Sequence, residues 1–417
     1  MKRKLFTQLC NQWRSNTWIA IELLIVSVII CYIMNLLVGI VFLRMENGKA
    51  YDVTDCLVVS YSRVPKESPE YITREDEKSG RNDDLATIIA RIKDNPEVEY
   101  VGTGSNAIPY NYNYYGRNLF DADGGDSITY NGNCRYMSPE MVEILKLRGI
   151  AGETPQQLVE ILKRGEILVS DYMNDPDGST ARSMIGRRVR FDGDSTAYRV
   201  GGAIKAVTRN DYEPAFGGSI IMPTINEEKA GWYGDEIAVR VKPGMARGFK
   251  QKFQNDMERM YRTGNTYVYD INLIEDRRDM NQMEITNMVR NTIICIVFIL
   301  ASVFLGLLGT FWFRTQQRVS EIAIRKVAGA TPLDIFRRLM SEGMLLLLLV
   351  TPLAIVIDFL VKYYELSIDF VPDAPWSIVV TSICATFALL ATIILVGIYF
   401  PASKAMKIEP AIALKDE

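Results

Sequence analysis

Histidine is absent from this 417-residue sequence. Its absence excludes histidine-based acid–base catalysis, a Ser-His-Asp triad and histidine-ligated metal sites. The six cysteines are widely spaced and include no C-x-x-C pair, which argues against a zinc or iron–sulfur site. Neither a G-x-x-x-x-G-K-S/T loop nor a G-x-S-x-G elbow occurs, and the net charge of −3 gives no overall attraction to nucleic acid. We therefore expect a chain that is not an enzyme, holds no metal or cofactor and has no nucleic-acid partner.

The apolar residues are concentrated in four runs. About 20 apolar residues are needed to cross the hydrocarbon core of a bilayer, and each run is long enough. The first run is too long for a cleaved signal peptide and is followed directly by Arg44 and Glu46. We therefore predict a membrane protein with four transmembrane helices, at residues 18–43, 292–313, 339–361 and 378–400.

Basic residues predict how these spans are oriented. They precede the first span, follow the second within 314–338, and follow the fourth within 401–417, whereas the loop 362–377 is acidic. Because cytoplasmic loops carry the excess of lysine and arginine, both termini and the segment 314–338 are expected inside. Residues 1–17 are interpreted as an amphipathic helix on the inner leaflet, or alternatively as a basic flank that only sets topology.

The long segment 44–291, expected outside, has its own strand and helix patterns. A β-α-β pattern covers 56–61, 83–93 and 98–101, and a second covers 236–241, 246–261 and 267–271. Two such halves can pair into a split βαβ layer. The region between them, about 105–230, is interpreted as an inserted mixed subdomain, with helices at 138–147 and 155–163 and strands at 167–170, 187–191, 198–206 and 219–222.

The predicted fold class is therefore a four-helix membrane protein that carries a large α+β extracytoplasmic domain on helical stalks. The stalk that enters the second span is expected to be one helix, 274–291, because no glycine or proline interrupts it.

Three features of the outer segment leave alternatives open. The tyrosine-rich run 109–115 is either a stacking surface for a sugar or peptide or, more commonly, a strand edge or loop. The acidic run 121–126 lacks the spacing of an EF-hand, so a solvated turn is favoured over a calcium loop. Cys56 and Cys134 are the only cysteines expected outside and could pair in an oxidising compartment, although the predicted layout separates them.

Three acidic residues fall within or beside the apolar runs. Glu22 and Glu342 lie near the inner ends and Asp358 lies near an outer end. Acids in a membrane can mark an ion path. Since these lie near the interfaces with basic residues close by, pairing with lysine or arginine is the simpler interpretation.

The segment 314–338 predicts a helix, a stop and a second helix. Residues 316–328 contain no glycine or proline, and Glu321 and Arg325 are spaced to pair across one turn. Gly329 is the expected stop, and Thr331-Pro332 restarts the helix. The apolar face is predicted from four residues, Val319, Ile322, Ala323 and Val327.

This segment closely resembles the cytoplasmic coupling segment of MacB/FtsX-type ABC permeases. The matching residues are those of Arg318-x-x-Glu321-Ile322-Ala323-Ile324-Arg325-Lys326-Val327-x-Gly329-Ala330-Thr331. The C-terminal run 401–414 is similar to that family's terminal signature. The runs 167–170, 186–189 and 198–204 resemble the MacB-like periplasmic core, with Gly202-Ala203 departing from the valine-rich run usual there.

The resemblance implies a permease of the bacterial inner membrane that works as a dimer, with a second copy or a related permease. A separate cytoplasmic ABC ATPase would bind ATP and Mg and would dock on eight coupling residues: Arg318, Glu321, Ile322, Ile324, Arg325, Lys326, Gly329 and Ala330. It further implies work in the periplasm, with a possible periplasmic or outer-membrane partner, on a peptide, lipoprotein or lipid-like substrate. The alternatives are an FtsX-like regulator of a cell-wall hydrolase, a membrane-anchored sensor or scaffold without an ATPase, and an ion-driven transporter.

Overall fold

The computed structural model describes residues 13–47, 50–111, 113–124, 128–171, 179–212, 218–224, 236–364 and 376–409. The chain divides into two compact units. We call residues Leu43–Ile285 the α/β unit, and residues Met1–Phe42 with Thr286–Glu417 the helical unit. Residues 1–12 of the predicted N-terminal amphipathic helix lie outside the described residues. Part of the acidic run 121–126 also lies outside them.

The elements are numbered in chain order over the described residues. The helices are α1 (Trp13–Asn47), α2 (Glu77–Lys93), α3 (Pro139–Leu145), α4 (Pro155–Lys163), α5 (Ser179–Met184), α6 (Ala246–Met260), α7 (Ile274–Asn281), α8 (Met283–Gln317), α9 (Val319–Val327), α10 (Pro332–Tyr363) and α11 (Trp376–Met406). The strands are β1 (Cys56–Arg63), β2 (Val98–Ser105), β3 (Gly116–Asp121), β4 (Ile128–Met137), β5 (Ile167–Ser170), β6 (Arg188–Phe191), β7 (Ala197–Ile204), β8 (Gly218–Pro223), β9 (Glu236–Val241), β10 (Arg262–Thr263) and β11 (Thr266–Leu273).

Four helices of the described chain are long and apolar enough to cross a membrane, and each contains one of the predicted spans. They are Thr17–Met45 within α1, then α8, α10 and α11. Ile30, Leu307, Leu347 and Ile398 are buried together in their shared core. Large apolar side chains such as Phe298 remain exposed on the helices. A surface of this kind is unfavourable in water and is expected where lipid covers it.

The α/β unit contains the predicted split βαβ layer. Its strand order is β11-β1-β9-β2, and every neighbouring pair in this set is antiparallel. Each β-α-β half is therefore split by a strand of the other half, which confirms the prediction. Alternate residues of β1 face opposite sides, as the period of a strand requires. Leu57 packs in a cluster with Ile88 of α2 and Phe249 of α6, whereas Val58 packs in a cluster with Met141 of α3.

The insertion continues the same sheet beyond β2, in the order β4-β3-β6-β7-β5-β8. Strand β8 also pairs in parallel with β4. The predicted helices and strands of this region are present, but β3, β4 and α5 were missed. Asn131, Gly132 and Asn133 have low strand propensity, and β4 is stabilised by its pairing with β3 and β8 instead.

Two predictions are corrected by the structure. The stalk is not one helix, because it is divided at Gln282, whose backbone angles (φ −93°, ψ −1°) lie outside the ideal helical range. The suggested Cys56–Cys134 disulfide is not formed. Both thiols are free and buried in different clusters, and Cys56 donates a hydrogen bond to the carbonyl oxygen of Ile144 at 3.2 Å.

The tyrosine-rich run is a loop, and its residues divide into two kinds. Tyr110 is buried in a left-handed backbone conformation (φ +64°), and its hydroxyl donates to Asp211 at 2.7 Å. Tyr114 and Tyr115 are exposed, and the Arg209 guanidinium lies over the ring of Tyr114. Tyr112 lies outside the described residues. At least one tyrosine of the run therefore belongs to the packed core and is not available for stacking on a ligand.

Candidate functional site

The candidate site is the short helix α9 with the turn that follows it. The helix ends in a Schellman motif, in which the N–H of Ala330 donates to the carbonyl of Arg325 and the N–H of Gly329 donates to that of Lys326, each at 3.0 Å. Gly329 has φ +93°, a conformation in which a side chain is strained. The predicted stop is therefore confirmed, and glycine is required there by the backbone.

The restart of the helix is also confirmed. Thr331 and Asp334 form a capping box, since the Asp334 N–H donates to the Thr331 hydroxyl oxygen and the Thr331 N–H donates to the Asp334 carboxylate. Pro332 occupies the first helical position, where its missing N–H costs nothing. These caps orient α10 immediately after α9.

One face of α9 is buried in the core of the helical unit. Ala323 is fully buried and Ile322 is nearly so. The predicted apolar face also included Val327, which is 69% exposed and is not covered by this core. Val327 is in the last turn of α9, beyond the stretch that the core covers.

The rest of α9 and the first turn of α10 present exposed apolar side chains. Ile324 is 58% exposed, and Val327 and Leu333 are exposed with it. We call Ile324, Val327, Ala328 and Leu333 the apolar tip. Beside it, Arg325 and Glu321 form the predicted pair, with Nη2 and Oε1 2.6 Å apart and both side chains partly exposed. The tip thus combines an apolar surface with a charged pair at its edge, which is the usual composition of a surface that binds another protein.

Arg318 was predicted to face an ATPase, and the structure places it against Glu342 of α10. Its Nη1 lies 3.1 Å from Glu342 Oε2, and Nη1 of Arg314 lies 3.3 Å from Glu342 Oε1. The Glu342 side chain is only 7% exposed. Pairing with basic residues, the simpler interpretation of this acid, is thus confirmed.

Lys326 was also predicted to face the ATPase, and it too binds within the chain. Its ammonium donates to the carbonyl oxygens of Met406 and Ile408, both at 2.7 Å. These carbonyls lie at the C-terminal end of α11, where a positive charge is favoured by unsatisfied carbonyls and the helix dipole. Lys326 therefore connects the segment to the C-terminal signature.

The structure separates the eight predicted coupling residues into three groups. Ile324 and the Glu321–Arg325 pair are accessible, Gly329 and Ala330 form the turn, and Ile322, Arg318 and Lys326 hold α9 in place. Sequence reasoning missed the exposed position of Leu333 and the buried role of Arg314. The spacing of Arg314 and Arg318 across one helical turn, with an acid in the next helix, was the signal for their shared partner.

Residues 293–410 match the family model described as FtsX-like permease C-terminal. Over this stretch the chain is similar to the FtsX-like permeases. The match includes α9, the apolar tip and most of the helical unit. That family is one of transmembrane subunits that are not themselves ATPases, and together with the four membrane-length helices the match supports a multi-pass membrane protein. An ABC permease of this family acts with an ATPase partner in general.

Two solved structures are similar to part of the chain. One is the extracellular domain of the noncanonic ABC-type transporter YknZ from Gram-positive bacteria, at 12% identity and TM-score 0.32, covering 51% of this chain and 100% of that one. The other is the periplasmic region of MacB from Actinobacillus actinomycetemcomitans, at 9% identity and TM-score 0.33, covering 57% of this chain and 96% of that one. No curated protein matches the sequence.

Proposed function

We propose that this permease is the transmembrane subunit of a mechanotransmission ABC transporter. In this proposal it lies in the bacterial inner membrane as a dimer, with both termini and α9 in the cytoplasm and the α/β unit in the periplasm. A separate ATPase subunit binds ATP and Mg, docks on α9 and drives the motion of the permease. The motion serves export or extraction of a peptide, lipoprotein or lipid-like substrate outside the inner membrane.

The apolar tip is the observation that carries this proposal. Ile324 and Val327 are exposed beside the Glu321–Arg325 pair, whereas Ile322 and Ala323 of the same helix are buried. Lipid contact alone does not require the charged pair or the capped turn. A groove on a partner protein would accept both the apolar side chains and the pair at their edge.

The contacts on the buried side of α9 supply a route for force. Arg318 joins α9 to Glu342 of α10, and Lys326 joins it to the end of α11. A push on the tip would thus act on two long helices together. Interactions between packed, charged elements transmit small displacements because such interfaces do not deform continuously.

The test is co-purification of the affinity-tagged full chain from its native cells in a mild detergent. An ATPase identified by its P-loop sequence is expected with the wild type. Val327→Asp places a charge in the apolar tip, and we expect the recovered ATPase to fall at least about tenfold. Gln316→Asp is the matched control, because Gln316 is exposed near the end of α8 and lies outside the tip.

Wild-type permease that purifies without an ATPase would contradict the proposal and favour a scaffold. Equal loss of the ATPase in Val327→Asp and Gln316→Asp would show that the tip is not the docking surface. Thermal unfolding of each variant in the same detergent establishes that both remain folded.

A further inference from the structure

A cavity of about 470 Å³ lies within the α/β unit and plays no part in the proposed function. It is lined by residues from the end of β1, the loop that follows it, helix α2 and the turn before β11. Its volume is in the range of small-molecule sites. All of its lining residues are described, so its chemistry can be read directly.

The lining is strongly basic. It contains four cationic side chains and one carboxylate, namely Arg63, Lys66, Arg74, Arg81 and Asp84. Asp84 is buried and already engaged, because it accepts from Arg74 Nη2 at 2.8 Å and from the N–H of Asn265 at 3.0 Å. The carboxylate thus balances Arg74, and the lining carries an excess of positive charge.

Arg63 and Arg81 are close enough to repel one another. Burial lowers the pKa of the Arg63 guanidinium below its usual value, and the positive charge of Arg81 lowers it further. Two guanidinium groups that line one cavity and repel each other form a favourable site for an anion. An anion bound between them would be attracted to both and would offset their mutual repulsion.

A second observation also indicates a ligand. Thr266 lines the same cavity and is only 1% exposed, and its Oγ1 has no hydrogen-bond partner among the described residues. Buried hydroxyls are nearly always paired, and one that is not calls for an explanation. The hydroxyl oxygen is closed to solvent in this structure, so an oxygen of a ligand in the cavity would pair it only after neighbouring side chains shift.

The wall of the cavity is not polar throughout. Val64, Pro65 and Ile72 contribute apolar surface, and Ile72 is exposed. A free inorganic ion would not use this surface, whereas an anionic group attached to an organic body would.

We propose that this cavity binds a phosphorylated ligand, with the phosphoryl group held by Arg63 and Arg81 and hydrogen-bonded to Thr266. Arginine is suited to this class of ligand, because its planar fork matches the geometry of phosphate oxygens. The phosphoryl group belongs either to a soluble phosphate ester or to a phospholipid headgroup. This site is independent of the apolar tip, so either proposal can fail without the other.

The test is titration calorimetry on the full chain in an uncharged detergent. The two probes are inorganic pyrophosphate and dihexanoyl phosphatidic acid. We expect the wild type to bind at least one of them, and Arg81→Gln and Arg63→Gln to bind about tenfold more weakly or worse. Arg247→Gln removes the same charge from an exposed position of α6 and is expected to bind as the wild type does.

Tighter binding of phosphatidic acid would assign the site to a lipid headgroup, and tighter or equal binding of pyrophosphate would assign it to a soluble phosphate. Failure of the wild type to bind either probe would overturn the proposal. So would an Arg247→Gln variant that loses as much affinity as Arg81→Gln.

Thr266→Val provides a test that separates loss of binding from loss of folding. The variant removes the unpartnered hydroxyl and keeps the shape of the side chain. We expect it to unfold at the same temperature as the wild type or higher when no ligand is present, and yet to bind the probe more weakly. A variant that binds with unchanged affinity would show that Thr266 does not contact the ligand and would overturn its part in the proposal.

Discussion

Lys326 and Met406 are 80 positions apart in the sequence, and the ammonium nitrogen of the lysine lies 2.7 Å from the backbone oxygen of the methionine. In this contact, a side chain of α9 caps the C-terminal end of α11. Together with the Arg318–Glu342 pair, it holds α9 against both α10 and α11. The apolar tip remains exposed, whereas Arg318 and Lys326 are held by contacts within the chain.

Removal of the Lys326 ammonium should loosen the end of α11. In Lys326→Met, the carbonyls of Met406 and Ile408 lose a charged donor, a contribution on the order of 1.5 kcal/mol. Hydrogen exchange of the amides at 402–409 should therefore accelerate by roughly tenfold. Lys407→Met removes an exposed charge nearby and should leave exchange unchanged; equal acceleration in both would attribute the effect to charge alone.

Loss of the buried carboxylate of Glu342 should be far more costly than loss of an exposed one. Glu342→Gln leaves Arg314 without its carboxylate in a site where both side chains are less than a tenth exposed. The expected destabilisation is about 3–5 kcal/mol. Glu321→Gln, which breaks the partly exposed pair with Arg325, should cost no more than about 1 kcal/mol. Denaturant titration in mixed micelles measures both, and similar costs would contradict the buried pair.

Gly343 should not tolerate a side chain, because α10 and α11 approach each other there. A Cβ at Gly343 would lie 2.9 Å from the Cγ2 atom of Ile394 and still closer to Ile398. Gly343→Val is expected to destabilise the helical unit by about 1–3 kcal/mol. At Gly309 a Cβ meets nothing within 4 Å, so Gly309→Val is the matched control and should be neutral. Tolerance of both substitutions in thermal unfolding would refute the close approach.

Tyr110 should matter for stability and its neighbour Tyr114 should not. Tyr110→Phe removes the donor that binds the Asp211 carboxylate in a buried site, at an expected cost of about 1.5–3 kcal/mol. Tyr114→Phe removes an exposed hydroxyl and keeps the ring beneath Arg209. Equal stability of the two variants would show that the Tyr110 hydroxyl is not a structural contact.

At acid pH, the α/β unit should lose the stability that the ionised Asp52 carboxylate contributes. Burial raises the pKa of this carboxyl, but hydrogen bonds from Thr54 and Lys146, with the charge of Arg240, outweigh it and lower the pKa below 3.8. A carboxyl with a lowered pKa in the folded state stabilises that state above its unfolded pKa, and this contribution is lost as pH falls through the folded value.

The stability difference between wild type and Asp52→Asn should therefore be constant from about pH 7 to pH 5 and shrink below about pH 4. Denaturant unfolding at each pH measures it. Asp279→Asn alters an exposed carboxylate and should give a small difference throughout. A difference for Asp52→Asn that does not change with pH would contradict the assignment.

Much of the local structure was predictable because its signals are local. Thr154 and Pro155 begin α4 through a capping box, and the described helix covers the predicted residues. Gly329 and Thr331 mark the turn after α9 in the same way. Strand β4 was missed because Asn131, Gly132 and Asn133 at its centre favour turns, and pairing with the neighbouring strands holds this stretch extended.

By itself, the sequence determined the four membrane-length helices, the split βαβ layer and the position of the helix–turn–helix within 314–338. Apolar run length, strand and helix periodicity, and caps all act over a few residues, so they can be read from the chain. Tertiary structure alone decided which residues of α9 are free. Whether Val327 is exposed, and whether Lys326 binds a distant carbonyl or is available to a partner, depends on helices that meet only when the chain packs. The basic cavity has the same origin, since Arg63, Arg81 and Thr266 come from three separate elements.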